Sequence, residues 1–525
     1  MNKIKRNNKL LLVIVIIAFY LRLQGINYGL PYVLNSEESA NLVQMLGFWK
    51  NIFRYLANPE SINVSPVFLF FNGIIAFITT HTFNLINVLE INPGSLLIPL
   101  RVISVLFSVA SIVVIYFMGL RFSPFVAAVS SGLLSVSMIH IKLSQMFLPF
   151  SAMIFFGLLS VFFALKENHS DKDANRSIFS AFLSFLIHPI GILNIIPIFI
   201  VLVQKKSILK HKKLFFKIFV ASLLLNLNLF FHLPSLVIKL FGNYFLNYHY
   251  NSYFLYAFSF LLLGIGPIAY LGSMGLLKYR NDYDFNLMKI LFSLPLLCIG
   301  ILGFLHCTKS EYAILSIPYF CIAAGLFFNS LYERAQTDNK KLIFILLLLF
   351  LFWIPLKYTL KYNKIINLSD TRVIATEWIK QNTSEDYKIA WDKNSIQLSW
   401  HDAYNKEGLK SLVTDPEVLI NKQRIPVSLK LLEKKKDWFK ILRKKVDYVV
   451  VNSLDSEMVF RHPQNELGKR YYKRILKLEP EIVFNPYLKD LDKNTGKLLV
   501  EDLYAPLQTL WQRERGGPVI KIYKL

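Results

Sequence analysis

The stretch "PLRVISVLFSVASIVVIYFMGLRF", residues 99–122, carries no charge between Arg101 and Arg121. A helix rises about 1.5 Å per residue, so such a run matches the ~30 Å hydrocarbon core that about 20 apolar residues cross. Comparable apolar runs recur between residues 9 and 358. Hydrophobic residues make up 54% of the chain and charged residues 18%, with a mean hydropathy of +0.42. Soluble globular chains carry about 25% charged residues, so this one reads as a multi-pass membrane protein.

Residues 359–525 break the pattern, with scattered charge, Trp and Tyr and no long apolar run. They read as one water-soluble domain of ordinary size. The cysteines, Cys298, Cys307 and Cys321, all lie in or beside apolar segments, so no disulfide staples that domain. The net charge of +25 raises the question of nucleic acid. Much of it sits in connectors such as "KKSILKHKK" (205–213), where Lys and Arg fix membrane orientation and meet anionic lipid, so no nucleic-acid partner is predicted.

The opening "MNKIKRNNKLLLVIVIIAFYLRL" has a basic flank and no small-residue cleavage site, and reads as an uncleaved first helix starting in the cytoplasm. Basic connectors at 205–217, 278–289 and 332–341 are placed on the same side, as is "KENHSDKDANR" (166–176). Parity then gives spans at 98–120, 123–141, 147–165, 218–234, 253–277, 290–306, 312–331 and 341–358. The 28 apolar residues before Lys205 are interrupted by "HPIG" (188–191), where proline favours a break into two half-length helices with His188 at the outer tip. Residues 25–97 become one long outer stretch, in which "SPVFLFFNGIIAFIT" lies along or dips into the bilayer without crossing. The predicted fold is mainly α: a polytopic transmembrane helix bundle of about 11 spans (residues 1–358) with a C-terminal extracytoplasmic α/β domain (359–525).

The order of features carries a resemblance: a basic start, one helix, "YGLPYVLNSEES", an apolar surface segment, the 99–122 run, "SVSMIHIKLSQMFLPFSAMIFF" and "KSEYAILSIPYFCIAAG". The chain resembles the GT-C glycosyltransferases, in the branch of the polyprenyl-phosphate-mannose protein mannosyltransferases and lipid A aminoarabinose transferases. The likeness extends to "DTRVIATEWIKQN" (370–382) and "LWQRERGGPVIKIYKL" (510–525) and is a diffuse pattern more than a sharp motif. In that family the first outer loop carries an Asp-Glu pair. The matching residues here are Glu37 and Glu38, after Asn35 and Ser36, so the resemblance implies that Glu37 stands at the catalytic aspartate. Two other family positions depart from the pattern. Phe150 follows Pro149 where an aspartate is usual, and His188 stands where a lysine often does.

The implied chemistry is attack by an acceptor hydroxyl or amide on the anomeric carbon of a polyprenyl-phosphate sugar, with inversion through an oxocarbenium-like transition state. A carboxylate must take the acceptor's proton, and Glu37 is the candidate base with Glu38 beside it. The lipid phosphate leaves with developing charge that a cation or metal stabilises. Candidate substrate-binding residues are His188, Arg101, Lys142, Lys309 and Glu311. A divalent metal ordinarily takes several oxygen ligands, and with Phe150 in place of the second acid no metal or other cofactor is predicted. Each residue also has a plain structural reading. The acid pair fits a solvated helix start capped by Ser36; His188 fits a turn; Arg101 fits a snorkelling side chain; and Glu311 fits an ion-pair partner of Lys309.

In the outer domain, a helix capped by Ser369 or Asp370 is expected from "SDTRVIATEWIKQ", then a strand "YKIAWD", a basic helical stretch at 426–445, a strand "VDYVVVNS", a helix near "ELGKRYYKRILK" and a last strand "PVIKIYKL". The lysine run 434–436 reads as a solvated face. The leading function is transfer of a sugar from a polyprenyl-phosphate donor to a protein, lipid or glycan acceptor on the outer face of a plasma membrane. The alternative is a degenerate member that binds a lipid-linked sugar or a partner without transfer. A transporter is disfavoured, because the spans hold almost no acids and no internal repeat is visible.

Overall fold

The computed structural model describes residues 2–50, 64–80, 94–166, 170–204, 216–218, 220, 267–278, 285–304, 314–335, 337–384, 387, 389–392, 395–397, 419–420, 443, 446–461, 466–488 and 509–525. The chain divides into two compact units. The first comprises Met1–Ile26, Asn41–Val88 and Ser95–Leu360; the second comprises Asn27–Ala40, Leu89–Gly94 and Lys361–Leu525. The turn that bears Glu37 and Glu38 therefore groups with the C-terminal residues rather than with the apolar helices.

In the first unit the quoted run forms α4, after α1 (Asn2–Leu23), α2 (Ser36–Lys50) and α3 (Pro66–Thr80), as one helix Gly94–Leu120. Among the described residues, two helices are long and apolar enough to cross a membrane, within Leu96–Leu120 and Asp338–Asn382. A third joins them if the bent pair Pro124–Ser135 and Met138–Ser144 is one span. Residues 221–234, 253–266 and most of 205–217 lie outside the described residues. Helix α3 is 15 residues, about 22 Å long, which is short of a hydrocarbon core.

The expected straight span at 123–141 is instead broken into α5 (Pro124–Ser135) and α6 (Met138–Ser144), bent by 59°. A break in a buried helix frees main-chain carbonyls, and these persist only where the protein supplies donors. Arg22 Nη1 donates to Ser135 O at 3.0 Å and Nη2 to Leu134 O at 3.3 Å, while Thr359 Oγ1 donates to Val136 O at 2.7 Å. The same guanidinium donates to Ser108 Oγ at 2.7 Å, to Ala18 O at 2.9 Å and to His140 Nδ1 at 2.8 Å. Arg22 is 0% exposed, so it serves as an internal brace between α1, α4 and the bend.

The next hairpin pairs α7 (Phe150–Ala164) with α8 (Asp171–Ile187). Ser177 Oγ donates to Ser160 O and Ser184 Oγ to Met153 O, both at 2.8 Å, the small-residue polar contacts that hold apolar helices together. Helix α8 ends at Ile187, and a 3-10 turn at Pro189–Asn194 leads into α9 (Ile195–Gln204), the break foreseen at "HPIG". Gly191 is needed there because a Cβ would fall 2.3 Å from Ser184 O. Further helices are α10 (Pro267–Lys278), α11 (Phe285–Phe304), α12 (Ile317–Arg334) and α13 (Asp338–Asn367).

The second unit holds a five-stranded mixed sheet in the order β2-β1-β3-β5-β4, from β1 (Ile389–Trp391), β2 (Leu419–Ile420), β3 (Tyr448–Asn452), β4 (Ile482–Phe484) and β5 (Ile520–Lys524). Strands β1 and β3 are parallel and the other pairs antiparallel. Side chains alternate across a strand, so β3 feeds both faces. Val449 and Val451 pack with Tyr471, Tyr472 and Ile475 of α16 (Glu466–Ile475). Tyr448 and Val450 pack with Ala375 and Ile379 of α14 (Thr371–Asn382). The cap of α14 is Asp370, one of the two expected. Strands β2 and β4 and helix α15 (Ser453–Arg461) were not expected from sequence, and nearly all of 426–445, with lysines 434–436, lies outside the described residues.

At the carboxyl end of β1, Asp392 Oδ2 accepts from Asn452 N and Oδ1 from Tyr472 OH, each at 3.0 Å. Burial, and then the Asp455 carboxylate, push the Asp392 acid well above the usual carboxylate range, against the lowering effect of those two hydrogen bonds.

Two outcomes are expected. Arg22→Met strips donors from the bend and should destabilise the chain by roughly 2 kcal/mol, read as a lower unfolding temperature in detergent, with Arg22→Lys recovering part. For Asp392 the folded-state pKa is raised, so its stabilising contribution is complete below the unfolded value and is lost as pH rises through the folded one. Resistance of the full chain to thermal unfolding should therefore fall from about pH 4 upward, and Asp392→Asn should flatten that slope.

Candidate functional site

The acid pair opens α2. Ser36 was the expected cap, but the cap is Asn35: its Oδ1 accepts from Glu37 N at 2.9 Å and from Glu38 N at 3.3 Å, and its carbonyl accepts from Ser39 N. Asparagine at this position satisfies the amides of the second and third helical residues, which here are the two glutamates. The cap sets their fates apart. Glu38 is 0% exposed, whereas Glu37 is only partly buried.

The turn leading to this cap is gripped residue by residue within the second unit. Gln397 Nε2 donates to Val33 O at 3.1 Å and Arg372 Nη1 to Leu34 O at 3.2 Å. Arg372 forms a fork on Asp370, Nε to Oδ1 and Nη2 to Oδ2, both 2.8 Å. Tyr28 OH donates to Asp370 Oδ2 at 2.9 Å and accepts from Arg372 Nη2 at 3.0 Å. Behind the carboxylate lies Gly517, at a φ of 94°; a Cβ there would sit 2.4 Å from Asp370 Oδ1. Thr371 N donates to Gly516 O, and Arg513 Nη1 to Gly517 O at 2.6 Å. Three segments distant in sequence, "NYGL", "DTR" and "RGGP", thus meet at one buried ion pair.

The remaining expected residues lie in the first unit. Arg101 is 1% exposed and donates to Ile26 O at 2.6 Å, so it is a buried brace and not a snorkelling side chain. Lys142 is also buried, on α6. His188 caps the 3-10 turn, with Nδ1 accepting from Ile190 N at 3.3 Å, which puts the ring proton of the neutral form on Nε2. Its ring lies 4.9 Å from that of Phe150. The two positions at which the chain departs from the GT-C pattern are therefore in contact with one another. Lys309 and Glu311 lie outside the described residues. Among the described residues, no three His, Cys, Asp or Glu side chains cluster in metal-holding geometry.

Sequence reasoning missed Arg372, Gln397 and Tyr28. The cap at Asp370 was visible, but its pairing with an arginine two residues on and with a tyrosine 342 residues back has no sequence signature.

No protein-family model matches the sequence, and no curated protein matches it. Solved structures do. The apo oligosaccharyltransferase of Archaeoglobus fulgidus superposes with a TM-score of 0.56 at 11% identity, covering 89% of this chain and 72% of that one. The same archaeal enzyme in complex with an inhibitory peptide and a dolichol-phosphate gives 0.52 at 11% identity, over 89% and 72%. ArnT from Cupriavidus metallidurans in the apo state gives 0.48 at 9% identity over 97% of each chain. The chain thus shares its fold with the archaeal oligosaccharyltransferase.

Proposed function

We propose that this chain is an inverting glycosyltransferase that moves a sugar from a polyprenyl-phosphate donor to a protein, lipid or glycan acceptor at the outer face of a plasma membrane. In this reading the N-terminus is cytoplasmic, about 11 spans cross the bilayer and the α/β domain is extracytoplasmic. The observation that carries it is Glu37: a partly exposed carboxylate at a capped helix start just after the first helix of a GT-C fold. The archaeal neighbour's binding of a dolichol-phosphate supports a lipid-phosphate donor.

Glu37 takes the acceptor's proton as its oxygen or nitrogen attacks the anomeric carbon, and the lipid phosphate departs. His188, at the tip between two half-helices, offers its Nε2 proton to that phosphate, less strongly than a lysine would. Arg101 and Lys142 are buried, so of the expected donor-binding residues His188 carries the proposal, with Lys309 and Glu311 as further candidates, and no metal enters the scheme. A second reading, in which the chain binds a lipid-linked sugar without transferring it, is favoured by the Phe150–His188 ring contact, which puts an aromatic pair where the family has an acid and a lysine.

Purified protein in lipid, supplied with radiolabelled polyprenyl-phosphate sugars, separates the two. Transfer should be seen with wild type, and Glu37→Gln should slow it about 10²- to 10⁴-fold while donor still binds. Binding with no transfer by wild type would establish the second reading, and transfer undiminished in Glu37→Gln would remove that residue from the role of base.

A further inference from the structure

We propose that Arg372 is a positioning residue for the Glu37 carboxylate, acting through the Leu34 carbonyl and the Asn35 cap. The catalytic consequence rests on the transferase reading above; the positioning itself does not. Arg372 is 3% exposed and Asp370 2%, so the fork between them sits in a low-dielectric setting where its geometry is held tightly. The two nitrogens that bond the carboxylate leave Nη1 directed at Leu34 O, and Nη2 also reaches Tyr28 OH. Both ends of the 28–34 turn are thereby tied to one ion pair.

The tie continues along the chain. Leu34 precedes Asn35, whose side chain holds the amides of Glu37 and Glu38. On the other side Thr376 Oγ1 donates to Arg372 O at 2.6 Å and accepts from Gln397 N at 3.1 Å, and Gln397 holds Val33 O. Arg372, Thr376 and Gln397 thus clamp two successive carbonyls just before the helix that presents the acid. Apolar packing stabilises a buried position at least as well as an ion pair does, so what the fork adds is direction. A base displaced by about 1 Å forfeits up to about 10²-fold in rate, which makes direction the quantity that matters here.

Arg372→Lys keeps the charge beside Asp370 but cannot bond the carboxylate at two points and Leu34 O at once. Hydrogen exchange of the full-length protein in lipid reads the turn directly. In Arg372→Lys the amides of Glu37, Glu38 and Ser39 should exchange about tenfold faster while those of Val450 and Val451 in β3 stay unchanged. With polyprenyl-phosphate mannose as donor, kcat should fall about tenfold with KM within about twofold, the split expected when a transition-state contact is lost. Tyr28→Phe, which removes a single hydroxyl, should shift both readouts the same way by a smaller factor and serves if the lysine variant does not fold. Unchanged exchange at 37–39, or faster exchange spread over β3 as well, overturns the proposal. Local loosening with no transfer by wild type upholds the positioning and overturns the transferase reading; local loosening with kcat unchanged overturns the catalytic consequence.

Discussion

Buried arginines that donate to main-chain carbonyls where regular structure stops are the constraint on which this structure depends. Arg22 serves Leu134 and Ser135 at the bend between α5 and α6, Arg101 serves Ile26 after α1, Arg372 serves Leu34 before α2, and Arg513 serves Gly517 before β5. A carbonyl removed from water without a donor costs about as much as a lost hydrogen bond, and a planar guanidinium is the side chain able to satisfy several at once. The chain uses that property in both units.

This gives the acid pair its character. Adjacent glutamates on a helix point in different directions, and the cap at Asn35 with the clamp behind it fixes which one is covered. Glu38 is enclosed, and Glu37 remains reachable. The rings of Phe150 and His188 lie 4.9 Å apart at the break between α8 and the 3-10 turn.

Much of the helical organisation was readable in advance because apolar periodicity and proline act locally. The 99–122 run formed one helix, "HPIG" ended another, and "VDYVVVNS" became a strand buried on both faces. The bend at 136–137 was not readable. Its carbonyl partners come from Arg22 and Thr359, more than a hundred residues away on either side, and no local propensity encodes them. Strand β4 was missed because three residues half-exposed on a sheet edge carry too little pattern to announce a strand.

The sequence by itself determined a mainly helical chain with long uncharged runs, two of which lie in helices long and apolar enough to cross a membrane, and short branched runs that pair in a small sheet. It also singled out Glu37 and Glu38 as the acids at a helix start. Only the tertiary structure decided which of the two stays accessible and that their turn belongs with the C-terminal residues. The reason is that Tyr28, the Asp370–Arg372 pair and Gly517 come from three separate segments of the chain, and their pairing is a property of the folded backbone that brings them together.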